Sequence, residues 1–312
     1  MGTLFTITLY APAKATAQSA VQAAFQRVAA LDEIMSDYQA DSELMRLCEA
    51  PPGQPVHVSA ELFDVLCQAQ KFSASSDGAF DVTVGPLVRS WRIARKKKIL
   101  PTPAGLNTAA ESVGYKKLRL DPKARTVTLL APNMRLDLGG IAKGYAADQA
   151  LAILKGRGFA RALVAASGDI AVGDPPPRQR GWRVSIASMD ARTNETVRSV
   201  LLRNAGISTS GDTEQFTEID GVRYSHIVDP KTGVGLTNRI QVTIIAPNAA
   251  TTDALATGVS VLGASRGLAL VDALPRTAAI IVTKRNGETR VFASRRFRSV
   301  FTDAAATSTR TP

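Results

Sequence analysis

Glu214-Gln215-Phe216-Thr217-Glu218-Ile219-Asp220-Gly221-Val222-Arg223-Tyr224-Ser225-His226-Ile227-Val228 reads as two strands, 214–219 and 222–228, joined across Asp220-Gly221. Asp-Gly between strand-like runs signals a tight hairpin, because both central residues of that turn need positive φ. Two more hairpins are expected: residues 118–120 with 126–130 around Asp121-Pro122-Lys123-Ala124, and 278–283 with 289–293 through Asn286-Gly287. Single strands are expected at 162–166, 182–187, 197–202 and 240–246, and the alternating residues 1–9 read as another. Between them lie helical patterns. Residues 15–35 carry Val21, Phe25, Val28, Leu31 and Met35 on one face. Ser59 is placed to cap a helix with the stripe Leu62, Phe63, Leu66 and Ala69. Thr102-Pro103 opens a short helix that Gly114 closes, Gly139-Gly140 leads into one ending near Gly156, and 251–262 and 266–274 complete the set. Hairpins alternate with helices in no strict βαβ order, so the expected class is α+β, with antiparallel sheets and flanking helices. Residues 1–301 are expected to form one domain, as a single body or two intimate lobes, with 302–312 a flexible tail.

The bulk composition narrows the function. With 312 residues, 45% hydrophobic and 21% charged, the chain can bury a large core and is compositionally globular. The formal charge of +11 is concentrated at residues 92–98 and 290–298. Such a balance suits nucleic acid, anionic lipid or a phosphorylated ligand, yet neither run interleaves regularly with aromatics, and both read more simply as solvated faces. No recognition element for nucleic acid is visible, so none is expected as a partner. Cys48 and Cys67 lack metal-ligand spacing and read as partly buried thiols. No run approaches 18 uninterrupted apolar residues, so no transmembrane span is expected, and the first residues lack a signal-peptide pattern.

Three segments carry candidate chemistry. Asp137-Leu138-Gly139-Gly140-Ile141-Ala142-Lys143-Gly144 is a strand end, a glycine turn and a helix start. Such a turn brings backbone N–H groups close to an anion, with the helix terminus adding partial positive charge. Lys143 falls in the first helical turn, where the dipole disfavours a cation, so a phosphate or carboxylate partner is expected; a solvated lysine beside a tight turn is the equal alternative. In Thr251-Thr252-Asp253-Ala254-Leu255-Ala256-Thr257, Asp253 and Thr257 stand four apart on one helix face. Carboxylate and hydroxyl are hard ligands suited to magnesium, but taken alone the segment is better explained by capping by Thr251 or Thr252, with Asp253 favouring the helix dipole. The third is Tyr224 through Gly233, with His226 just before a proline-glycine turn. A lone histidine is more often structural than a base. Nearby, Ser208-Thr209-Ser210-Gly211-Asp212 is either a ligand nest or a turn.

Taken together and in order, these segments resemble the ApbE family, the FAD:protein FMN transferases. The matching stretches are Met1-Gly2-Thr3; Ser36-Asp37-Tyr38 with Ser42-Glu43; Phe80-Asp81-Val82-Thr83-Val84-Gly85-Pro86-Leu87 with Trp91; residues 137–148; Ser167-Gly168-Asp169-Ile170; Thr209-Ser210-Gly211; residues 226–233; and residues 253–257. The resemblance covers nearly the whole chain to about residue 295. It implies FAD contacts at Met1, Tyr38, Ala79, Phe80, Asp81, Asp137, Lys143 and Ile227. It further implies a magnesium ion held by the Gly140 carbonyl, Asp253 and Thr257, and His226 as catalytic base. The implied reaction is Mg2+-dependent transfer of FMN from FAD, the substrate, to a Thr or Ser hydroxyl of an acceptor flavoprotein, releasing AMP. The alternatives are an FAD pyrophosphatase, with water as acceptor, and a non-catalytic FAD carrier. Departures from the family pattern are Ser167 for the first glycine of Gly-Gly-Asp, Thr213 for an aromatic, Gly235 for a proline and Cys48 for an asparagine. Because the Met-Gly-Thr segment opens the chain, either a leaderless cytoplasmic member or, with an export signal upstream, a cell-envelope member is implied.

Overall fold

A computed structural model describes residues 2–186, 189, 198–211, 215–285 and 287–297. The hairpin that decides the class forms: Phe216–Ile219 pairs antiparallel with Val222–Ser225, and Asp220 and Gly221 take φ of 50° and 72°. Its second strand ends at Ser225, short of the expected residue 228, and the backbone then runs into the His226 segment. The main sheet has seven strands in the spatial order Phe5–Leu9, Ala162–Ala166, Asp169–Val172, Ala205–Gly211, Arg239–Ala246, Ala278–Arg285 and Glu288–Ala293, each antiparallel to its neighbours. Val56–His57, Thr126–Leu129 and Leu118–Asp121 form a smaller sheet, and Trp182–Ile186 pairs with Arg198–Leu202. Mixed helices with antiparallel sheets make the fold α+β, as the hairpins required.

The helices are α1 (Lys14–Met35), α2 (Glu43–Cys48), α3 (Ala60–Ser75), α4 (Gly85–Lys97), α5 (Pro103–Glu111), α6 (Ala142–Gly156) and α7 (Ala249–Ala273). Ser59 caps α3 by accepting the Leu62 N–H, and Leu62, Leu66 and Ala69 are buried with Val65; Phe63 is only half-buried. On α1 Leu31 and Met35 of the expected stripe are buried and Val21 and Val28 are partly so, but Phe25 is not. Ala20 and Ala24 pack against Ala147 and Ala150 of α6, while Phe25 is 40% exposed. Small residues let the two helices approach closely, which turns the bulky neighbour outward. Two helices went unread in the sequence, α2 and α4. The second of these buries Leu87, Trp91 and Ala94 at helical spacing, with Pro86 in its first turn. α5 ends at Glu111 with Ser112 as its C-cap; Gly114, at φ 137°, instead precedes a 3-10 turn at Tyr115–Lys117.

α7 runs through the two helices expected at 251–262 and 266–274, interrupted at Gly263 with φ 74°. It is capped by Asn248, whose side chain accepts the Thr251 N–H, so neither Thr251 nor Thr252 is the cap. By length and composition α7 could cross a membrane, with a mean hydropathy of 1.5. Its apolar residues instead pack on the main sheet: Leu255, Ala256 and Val259 meet Val242, Ile244 and Ile281. The Ser208–Asp212 stretch is neither nest nor turn through Gly211; it lies in the strand Ala205–Gly211, where Ser208 hydrogen-bonds Thr252 at 2.7 Å and Thr209 bonds Thr243 at 2.9 Å. Met1, Thr213, Glu214 and the tail 302–312 lie outside the described residues.

Two of the departures from the family pattern acquire physical content. Ser167 sits in the turn between Ala162–Ala166 and Asp169–Val172 with φ 56°, a left-handed conformation that favours glycine. Holding a side chain there costs on the order of 1 kcal/mol. Ser167→Gly is expected to raise stability by up to about 1 kcal/mol, partly offset by the freer unfolded chain; an unchanged or lowered urea midpoint contradicts this. At Gly235, a Cβ would come within 2.7 Å of the Ser225 carbonyl oxygen, so a proline does not fit this backbone as it stands.

Candidate active site

The glycine turn at residues 139–140 and the start of α6 lie beside the first turns of α7. Lys143 does not point alone into solvent. Its Nζ donates to Asp169 at 3.0 Å, to both oxygens of Asp253 at 3.1 Å and to the Gly139 carbonyl at 2.9 Å. The expected partner for a cation in a first helical turn is thus a pair of carboxylates. They hold the ammonium well above its ordinary range, against the burial that opposes charge. Asp253 is 1% exposed, and burial together with the Asp169 carboxylate pushes its pKa up to about 7. Lys143 and the Gly144 N–H, which donates to it at 3.1 Å, pull the other way. Both Asp253 oxygens face Lys143, and as a hard oxygen donor the carboxylate is of the type that suits a divalent cation.

Gly140, Asp253 and Thr257 come together here. A Cβ built on Gly140 would lie 3.0 Å from Thr257 Oγ1 and 3.2 Å from the Phe80 ring, so only glycine leaves the space between them open. Among the described residues there is no group of three or more His, Cys, Asp or Glu side chains that could hold a metal. A cation at this point would rest on one carboxylate, one hydroxyl and backbone carbonyl oxygen. Those are hard donors, and they fit magnesium with water or phosphate oxygens completing its shell.

Asp137 fixes the glycine turn: its Oδ1 accepts the Gly139 N–H at 2.8 Å, and its Oδ2 takes the Arg92 guanidinium at 3.1 Å. Burial and the neighbouring Asp37 carboxylate raise Asp137, while Arg92 lowers it. Arg92 also pairs with Asp37 and lies 4.4 Å from the centre of the Tyr38 ring, which is 72% exposed. Arg92 is therefore not part of a solvated basic face; it ties Tyr38 to the glycine turn. Phe80 is buried against Phe72 and Gly140. The Asp81 carboxylate accepts from Thr83 N–H and Oγ1 and from the Tyr115 N–H, which makes it a brace for its own loop. Ala79 is buried at the start of that loop.

The segment that carries His226 and Ile227 is anchored on α4. Trp91 Nε1 donates to the Gly233 carbonyl and its ring lies 4.9 Å from that of Tyr224, while the adjacent Arg92 holds Asp137. One helix thus carries the histidine segment on one side and the glycine turn on the other. His226 Nδ1 lies 3.0 Å from the Gln215 carbonyl oxygen, which also accepts the His226 backbone N–H at 3.1 Å. A carbonyl can only accept, so Nδ1 is the donor in this contact. Ile227 is buried. Sequence reasoning left Asp169 and Arg92 off the site. Asp169 stood inside the quoted Ser-Gly-Asp segment, and only the pairing with Lys143 shows what it does.

The family model for the ApbE family matches residues 1–281. An FAD:protein FMN transferase of Salmonella typhimurium is 34% identical over 279 residues, spanning 87% of this chain and 79% of that protein. One of Vibrio cholerae is 33% identical over 262 residues, spanning 82% and 77%. The solved structure of the flavin transferase ApbE from Vibrio cholerae superposes with a TM-score of 0.85 at 31% identity, covering 96% of both chains. The ApbE protein of Thermotoga maritima gives the same TM-score at 29% identity, again with 96% coverage of each. The α+β core of antiparallel sheets is that of the ApbE structures, and the chain belongs to the ApbE family.

Proposed function

We propose that this chain is an FAD:protein FMN transferase that moves FMN from FAD to a Thr or Ser hydroxyl of an acceptor flavoprotein, in a Mg2+-dependent reaction that releases AMP. The observation that carries this reading is the convergence of Gly140, Lys143, Asp253 and Thr257 at one glycine turn, in a chain whose relatives bear that activity as their name.

The chemistry needs charge compensation on the pyrophosphate and removal of a proton from the attacking hydroxyl. Bound magnesium would supply positive charge at the phosphates, held by the Gly140 carbonyl, Asp253 and Thr257. Lys143 holds Asp253 and Asp169 in place, and with the α6 N-terminus adds positive potential beside the same turn. Tyr38, presented on Arg92, offers an exposed ring for stacking, with Phe80 and Asp137 nearer the turn. Nε2 of His226 takes the hydroxyl proton. The hydroxyl oxygen then bonds the FMN phosphorus as the pyrophosphate P–O bond breaks, and AMP leaves with the bridging oxygen. Met1 and Ile227 complete the proposed flavin contacts.

The competing reading with the same residues is FAD hydrolysis. It is separated by following AMP during incubation with FAD and Mg2+, with and without a candidate acceptor. Release only in the presence of acceptor is the expected result; equal release without it makes the protein a pyrophosphatase. No AMP under either condition, with FAD bound, makes it a carrier.

A further inference from the structure

The segment 140–148, which runs from the glycine turn into α6, meets α7 in three rungs spaced four residues apart along each segment. At the first, Asp148 Oδ1 accepts the Ala249 N–H at 2.9 Å and Oδ2 accepts the Ala250 N–H at 2.8 Å. At the second, the Gly144 N–H donates to Asp253 Oδ2 at 3.1 Å, and a Cβ on Gly144 would lie 2.1 Å from the Ala249 carbonyl oxygen. At the third, Gly140 meets Thr257, with the Cβ position 3.0 Å from Oγ1. Moving down residues 148, 144 and 140 takes the partner up through 249, 253 and 257, so the segments run antiparallel in one fixed register.

We propose that Asp148 is a positioning residue that sets the register of α7 on α6, and so brings Asp253 and Thr257 to Gly140. The third rung limits how close the segments come, because glycine removes side-chain bulk, but small residues alone do not choose among registers. The second adds polar contacts from the Gly144 N–H and Lys143 to Asp253, and the first adds two successive amides on one carboxylate. A carboxylate accepts only, and its two oxygens match two successive amides at the start of α7, which no intrahelical carbonyl satisfies. Sliding α7 by one turn, about 5.4 Å, leaves both amides and the buried carboxylate without these partners. Burial raises Asp148 to about 6 while the two amides it accepts from pull it down. The inference rests on the reading that Gly140, Asp253 and Thr257 hold the cation.

The test is Mg2+ titration by calorimetry on the FAD-loaded full chain, alongside thermal unfolding. Asp148→Asn keeps one acceptor and turns an amide group toward the second N–H. It is expected to raise the Mg2+ Kd at least tenfold. The control is Asn248→Ala, which removes the cap of α7 without touching α6 and is expected to lower the Tm while leaving the Mg2+ Kd within about twofold. If Asp148→Asn does not fold, Asp148→Glu, which keeps both acceptors on a longer arm, carries the same expectation of weakened Mg2+ binding. An unchanged Kd in the folded Asp148 variant, or an equal rise in Asn248→Ala, overturns the positioning role while leaving the cation site standing. Absence of saturable Mg2+ binding in the unaltered protein overturns the cation site and the inference together.

Discussion

Asp253→Ala is expected to abolish Mg2+-dependent FMN transfer and to weaken FAD binding. Asp253 is the one carboxylate among the proposed cation ligands and the acceptor for both Lys143 Nζ and the Gly144 N–H. Its removal deletes the strongest ligand and leaves Lys143 to Asp169 and the Gly139 carbonyl. A bound metal supplies several kcal/mol of transition-state stabilisation, so losing it costs roughly three orders of magnitude or more in rate. Asp253→Asn keeps the volume and one acceptor, and is expected to fold while losing metal dependence. Single-turnover transfer at several Mg2+ concentrations checks both variants; a rate that still rises with Mg2+ to the unaltered maximum contradicts the assignment.

His226→Ala is expected to keep FAD binding and lose roughly two to four orders of magnitude in transfer rate, the usual contribution of a general base. Nδ1 donates to the Gln215 carbonyl, so the proposed mechanism assigns the proton transfer to the other ring nitrogen. His226→Gln, which retains hydrogen bonding without basicity, is expected to be as slow as alanine. Transfer by either variant at the unaltered rate assigns the base to another residue.

The hairpins at Asp220-Gly221 and at residues 121–124, the cap at Ser59 and the glycine turn before α6 were legible because each is a local signal that no distant contact overrides. α4 was not. Its buried residues are spaced for a helix, but the basic run ending it reads as a solvated face, and the partners of Arg92, Asp37 and Asp137, come from sequence-distant segments. The exposed Phe25 has a similar cause. Helical periodicity gave a face on α1, but the alanines of α6 decided which face could approach. In the site, Asp253 and Thr257 were readable as one helix face, and Lys143 as a cation in need of a partner. That Asp169 and Asp253 are those partners, and that Gly140 opens onto Thr257, depends on packing between α6, α7 and the sheet. No spacing within a single segment carries that information. The capping alternative for residues 251–257 fell to a residue just upstream, Asn248, which frees Asp253 for the second turn.

The most direct measurement is the intact mass of a candidate acceptor flavoprotein after incubation with this protein, FAD and Mg2+. A gain equal to one FMN residue, lost when the acceptor's Thr or Ser is replaced by alanine, is the predicted result. An acceptor of unchanged mass while FAD is consumed to free FMN and AMP would contradict transfer.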